Sequence, residues 1–166
     1  MKIAYFDLIA GASGDMLLGV LVDAGLSFDR LQEGLAALRL DGFSLTRSRV
    51  MRGAFAATKV DVNVTDHEHA RNLAEIQAIV TASALPEAVK ERANRVFARM
   101  VAVEAGIHHA PIDEVHLHEL GALDTIADVC GFLFGLHELA IERVVVSPVP
   151  LGRGVIDGAH GRIPLP

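Results

Sequence analysis

The chain has 166 residues, 51% of them hydrophobic, with a mean hydropathy of +0.37; this is enough apolar material for one core and excludes general disorder. Fifteen basic residues against 21 acidic ones leave a net charge of −6, and the basic ones are scattered, so no footprint for a nucleic-acid backbone is present. Cys130 is the only cysteine, which excludes an internal disulfide and a thiolate-rich metal site within one chain. No apolar run has the length of a membrane span or the flanks of a signal peptide. The expectation is a cytoplasmic protein that contacts neither nucleic acid nor membrane.

Residues Ile3 to Leu8 form a β-prone apolar run that stops at Ala10-Gly11-Ala12-Ser13-Gly14-Asp15. Met16, Leu17, Val20, Leu21 and Ala24 then recur at helical spacing up to Gly25, so the opening reads as strand, glycine loop and helix. A second helix is predicted from Phe28 or Asp29 to Leu38, with Gly42 after it. Phe43 to Val50 and Phe55 to Val64 alternate around an Arg52-Gly53 turn and predict an antiparallel hairpin. The polar stretch Thr65 to Asn72 has no periodicity and reads as a loop. Leu73, Ile76 and Val80 mark a helix ending near Ser83, and Pro86 opens another whose apolar stripe is Val89, Ala93, Phe97, Met100 and Ile107. The last helix, Leu120 to Leu139, is apolar on nearly every side from Ile126 to Leu136 and is expected at the centre. A short buried strand at Val144 to Val146 and a proline- and glycine-rich tail complete the pattern. We expect one α+β domain over residues 1–166, a small mixed or antiparallel sheet against a helical bundle.

Charged residues that interrupt these patterns carry the functional signal. Glu104 falls where the stripe asks for leucine, with His108 one turn on, so the two share a face; they are either solvated at a helix tip or part of a site. Asp124 and Asp128 project from one face of the last helix, which Gly131 and Gly135 continue without side chains, so another segment can approach there. The choice is between an ion pair to a neighbouring loop and a carboxylate site. Just upstream, Glu114-Val115-His116-Leu117-His118-Glu119 alternates; extended backbone would put His116 and His118 on one side, whereas a helix would pair His116 with Glu119. Together with Glu119, Asp124 and Asp128 they make a nitrogen and oxygen donor set suited to Ni²⁺, Zn²⁺ or Mn²⁺ and not to Cu(I). His67 and His69 form a smaller cluster in the polar loop, and His137 reads as a compensator of its helix dipole. The Gly11 to Asp15 loop, with Asp7 at the end of the strand before it, offers backbone amides at Ser13, Gly14 and Asp15 to an anion. It has neither a P-loop lysine nor a dinucleotide spacing. Gly152-Arg153-Gly154 and His160-Gly161 suggest a second tight loop.

Several of these segments together resemble one family. Tyr5-Phe6-Asp7 with Gly11 and Ser13-Gly14-Asp15-Met16, the Thr58 to Val62 strand, Arg71-Asn72-Leu73, Glu114 to Ala122 with Asp124 and Asp128, and Ser147-Pro148, Gly152, Gly154, His160-Gly161, Pro164 and Pro166 look like the LarC-type nickel-insertion proteins. The resemblance implies a role in making a nickel-pincer cofactor for lactate racemase and related enzymes. Nickel would enter pyridinium-3,5-bisthiocarboxylic acid mononucleotide in a CTP-dependent reaction with Mg²⁺ or Mn²⁺. It also implies that His116, His118, Glu119, Asp124 and Asp128 form the polar site, with His108 and His160 as further candidates. Two departures stand out. The histidine-rich stretch of the family is reduced here to Asp66-His67-Glu68-His69, and the family is commonly more than twice as long, its nucleotide-binding property belonging to a C-terminal half. The chain therefore reads as an N-terminal domain without the CTP-binding part, working with that C-terminal half as its partner.

Overall fold

The computed structural model describes residues 1–9, 11–65, 71–112, 115, 122–158 and 161–165. In chain order its elements are β1 (Ile3–Phe6), α1 (Gly14–Asp23), α2 (Phe28–Ala36), β2 (Phe43–Arg52), β3 (Phe55–Val64), α3 (Leu73–Ala82), α4 (Glu87–His108), α5 (Leu123–Glu138), β4 (Arg143–Val146), β5 (Val155–Gly158) and β6 (Gly161–Pro164). The strands form three separate ribbons of two. β1 and β4 run parallel, with Ile3 opposite Arg143 and Phe6 opposite Val146. β2 and β3 are antiparallel from Phe43 opposite Val64 to Arg52 opposite Phe55, and β5 and β6 form a second hairpin. This is the expected α+β class. No helix among the described residues is long and apolar enough to cross a membrane.

The all-round apolar character of α5 fixes its place. It packs against α1, α2, α4 and β3, burying Leu123, Ile126, Ala127, Cys130, Phe134 and Leu136. Neighbours answer with Leu18 and Leu21, Leu31 and Leu35, Phe97 and Val101, and Val60, all of them buried. Each such side chain contributes about 1.5–3 kcal/mol against exposure. Gly131 and Gly135 let the partners come close as expected: a Cβ at 131 would lie 3.0 Å from Leu18, and one at 135 would lie 2.6 Å from Leu21.

The hairpin is fastened to the far end of α1. Asp23 accepts hydrogen bonds from the Thr58 amide at 2.9 Å and the Thr58 hydroxyl at 2.7 Å. These bonds, the backbone one first, hold its carboxyl below the usual range. One turn earlier, Gly19 lies against the Thr58 carbonyl, where a Cβ would meet the oxygen at 2.4 Å. α3 opens with a capping box in which Asn72 accepts from the Glu75 amide and Glu75 accepts from the Asn72 amide.

Three expectations need correction. β4 exists but is not buried, since Val144 and Val146 are 41% and 48% accessible; a ribbon only two strands wide has no further strand to shield it. The buried face of α4 continues from Phe97 through Val101 and Ala105, not through Met100 and Ile107, and Ile107 is 65% accessible. A step of four and a step of three both fit 3.6 residues per turn, and the core selects the former. The tail also contains the β5–β6 hairpin, whose short apolar runs are hidden in the sequence by glycine and proline. The start predicted for the last helix, Leu120, lies outside the described residues, and α5 begins at Leu123.

The contrast between two helical glycines is testable. Gly106, in the last turns of α4, has open space where a Cβ would stand, so Gly106→Ala is expected to raise the urea-unfolding free energy by about 0.5–1 kcal/mol. Gly19→Ala must displace backbone and is expected to lower it by about 1–3 kcal/mol.

Candidate functional site

The loop after β1 delivers the start of α1 to one face of α5. The Leu8 amide donates to Ser147 Oγ at 2.8 Å, which ties the loop to the segment after β4. Gly11 turns with φ +87°, in the left-handed region that favours glycine. Ser13 occupies the N-cap of α1 in extended conformation, but its hydroxyl donates to the Asp15 carboxylate and accepts from no backbone amide of the helix.

On α5, Asp124 is exposed and accepts from the Thr125 amide at 2.7 Å. Asp128, one turn further, is turned inward onto Gly14. A Cβ at position 14 would lie 2.0 Å from Asp128 Oδ2, so the carboxyl occupies the space any side chain there would need. Asp128 Oδ1 is buried and has no hydrogen-bond partner among the described residues. Burial first, then the charges of Asp124 and Asp15, push the Asp128 carboxyl up to about 7. The group therefore changes charge near neutral pH, and a cation placed there would relieve both the desolvation and the mutual repulsion of the three carboxylates.

Sequence reasoning placed Ser13, Gly14 and Asp15 in one site and Asp124 and Asp128 in another. The structure brings them together into one, and the signal that was missed is the glycine at the head of α1. Asp7 is exposed past the end of β1 and is not among the groups acting on Asp128. Glu104 and His108 face one another on α4, with His108 Nε2 3.1 Å from Glu104 Oε1, and they too do not act on Asp128. His137 is exposed in the last turn of α5, as expected. His67, His69, Glu114, His116, His118, Glu119 and His160 lie outside the described residues. Among the described residues no group of three or more His, Cys, Asp or Glu side chains is arranged to hold a metal ion. Cys130 adds no thiolate, since burial pushes its thiol up to about 12. Two open clefts, of about 310 and 360 Å³, lie at Asn72, Leu73 and Ile112 and beside β1, whereas at Asp128 the carboxyl is packed directly on Gly14.

Comparison with known proteins supplies a context for this geometry. A family model described as nickel insertion protein matches residues 4–166. A Thermomicrobium roseum protein that carries a nickel-insertion name is 48% identical over all of this chain and 41% of its own length. A Desulfitobacterium hafniense protein named pyridinium-3,5-bisthiocarboxylic acid mononucleotide nickel insertion protein is 45% identical over the whole chain and 41% of its own. The chain thus spans about two-fifths of the length of the curated relatives it matches. No solved structure matches it significantly.

The Asp128 environment predicts a pH-dependent stability difference in chelator-treated buffer. Below about pH 4 the carboxyl is protonated in both folded and unfolded chains, and Asp128→Asn is expected to match the parent. Between about pH 4 and 7 the unfolded chain ionises and the folded one resists, so the parent loses stability while the variant does not. The advantage of Asp128→Asn should reach a few kcal/mol, in order of magnitude, by pH 8. Urea titrations at pH 4, 6 and 8 measure it, and an advantage that stays flat contradicts this reading.

Proposed function

Because the chain belongs to the nickel insertion protein family, we propose that it serves nickel-pincer cofactor biosynthesis, inserting or delivering Ni²⁺ into pyridinium-3,5-bisthiocarboxylic acid mononucleotide. The observation that carries this reading is the 45% identity, along the entire chain, to a relative named for that substrate. The junction of α1 and α5 supports it: Asp128 keeps a buried carboxylate oxygen without a partner beside two further carboxylates. In this reading Ni²⁺ is cargo. His116, His118 and Glu119 join Asp124 and Asp128 in holding it, with His108 and His160 as further donors. Imidazole and carboxylate suit the task because a cargo ion must be released, and a set of thiolates would hold it more firmly.

The mononucleotide would approach along Asp7, Ser13, Gly14 and Asp15, its phosphate toward the amides at the head of α1. Asp15 and Asp128 repel that phosphate unless a cation stands between them, which couples the two halves of the site. Forming a nickel–carbon bond expels a proton from the pyridinium ring, and a neutral histidine is the suitable acceptor near pH 7. The product would pass to a nickel-pincer-dependent racemase.

A second reading is favoured by the two-fifths coverage of the relatives. In it the chain is a nickel-binding or assembly module, and the CTP-dependent step with Mg²⁺ or Mn²⁺ belongs to a separate C-terminal partner. Two measurements address these readings. In calorimetry with Ni²⁺, His116→Ala and His118→Ala are each expected to weaken binding by about tenfold or more, with a smaller effect from His67→Ala; equal losses would move the site to residues 66–70. The chain by itself is expected to leave CTP intact, and nickel transfer to the mononucleotide should require the remaining part of the D. hafniense relative supplied in trans. CTP hydrolysis by the chain alone would overturn that division of labour.

A further inference from the structure

Helix α4 carries a second apolar line that the core uses only at Met100. Its buried face is Val89, Ala93, Phe97, Val101 and Ala105. Beside it run Val96, Met100, Val103 and Ile107, spaced four, three and four residues apart, which is the seam pattern of a coiled coil. At 100° per residue this seam lies about a quarter-turn from the buried face. Met100 rests against the core, while Val96, Val103 and Ile107 are 36%, 47% and 65% accessible. The flank on the other side of the buried face is acidic, with Glu87 and Glu91 both exposed, while Asn94 is drawn into the buried face.

The outer edge of the seam is a row of arginines. Arg92, Arg95 and Arg99 are exposed, and none forms an ion pair among the described residues. Spaced by three and four, they share one helix face and repel one another. In a chain of net charge −6 this is a local positive strip against an open apolar line, with Glu91 as the one acidic neighbour on α4 beside it. We propose that this flank of α4 docks an acidic amphipathic helix of a partner protein, with its apolar residues in the seam and its carboxylates on Arg92, Arg95 and Arg99.

A second copy of the chain is the wrong occupant. Two copies paired seam to seam in antiparallel order would bring their arginine rows to the same edge, like charge against like. A bilayer suits the seam poorly as well. It is one residue wide, made of Val, Met and Ile without an aromatic anchor, and the chain as a whole is anionic.

The test uses the full chain and two synthetic 21-residue helical peptides with leucine at the seam positions, one flanked by glutamate and the other by lysine. By fluorescence anisotropy the glutamate peptide is expected to bind about tenfold or more tightly than the lysine peptide, with affinity falling as salt rises. Val103→Asp should abolish this binding, and Arg95→Glu with Arg99→Glu should reverse the preference between the peptides; circular dichroism confirms that both variants remain folded. Equal binding of the two peptides overturns the proposal. So does a dimer in sedimentation that Val103→Asp dissolves, or co-sedimentation with phosphatidylglycerol vesicles that the same variant abolishes.

Discussion

Helix α5 presents glycine toward α1 at positions 131 and 135 and an aspartate toward Gly14, so the two helices meet through one apolar stretch and one polar end. The apolar stretch is stable by itself, with Leu18 and Leu21 filling the space the glycines leave. The polar end is not. A carboxyl with a buried, unpartnered oxygen costs free energy wherever it is charged. The leucines supply the rigidity that keeps Asp128 in this position; a looser junction would let it swing into water. Site and core are therefore one contact read at its two ends.

The groups gathered at this junction are carboxylates, with no thiolate beside them among the described residues. Buried Cys130 packs as a small apolar group within α5, two residues from Asp128 in sequence and opposite to it in character. The same helix thus carries a thiol and a carboxyl that burial raises together, the one to about 12 and the other to about 7. Acidic and basic surplus are also separated: Asp15, Asp124 and Asp128 gather where α1 begins, and the arginine row of α4 lies on a different helix.

The sequence was informative where one physical signal acted without a competitor. The alternating runs Phe43 to Val50 and Phe55 to Val64 pointed to the hairpin, which in the structure continues to Arg52, and a helix apolar on nearly every side pointed to the centre. It was less informative where two solutions had similar local quality. Val101 and Met100 are equally good continuations from Phe97, and only the position of the neighbouring helices decides between them. Val144 to Val146 has the composition of a buried strand, yet burial depends on what lies beside the ribbon, which no local pattern encodes. The spacing of Asp124 and Asp128 revealed a shared face; that Asp128 meets Gly14 is a long-range fact. The histidines that the sequence ranked highest, His116 and His118, lie outside the described residues, so their rank rests on spacing and on family membership.

The two fastenings of α1 have a mechanical meaning. At its last residue Asp23 is held by the amide and hydroxyl of Thr58, and at its first residue Gly14 is pressed against Asp128. A rod pinned at both ends can neither slide nor pivot without breaking one of them. The helix is the anvil of this junction, held at each end by a residue far away in the sequence.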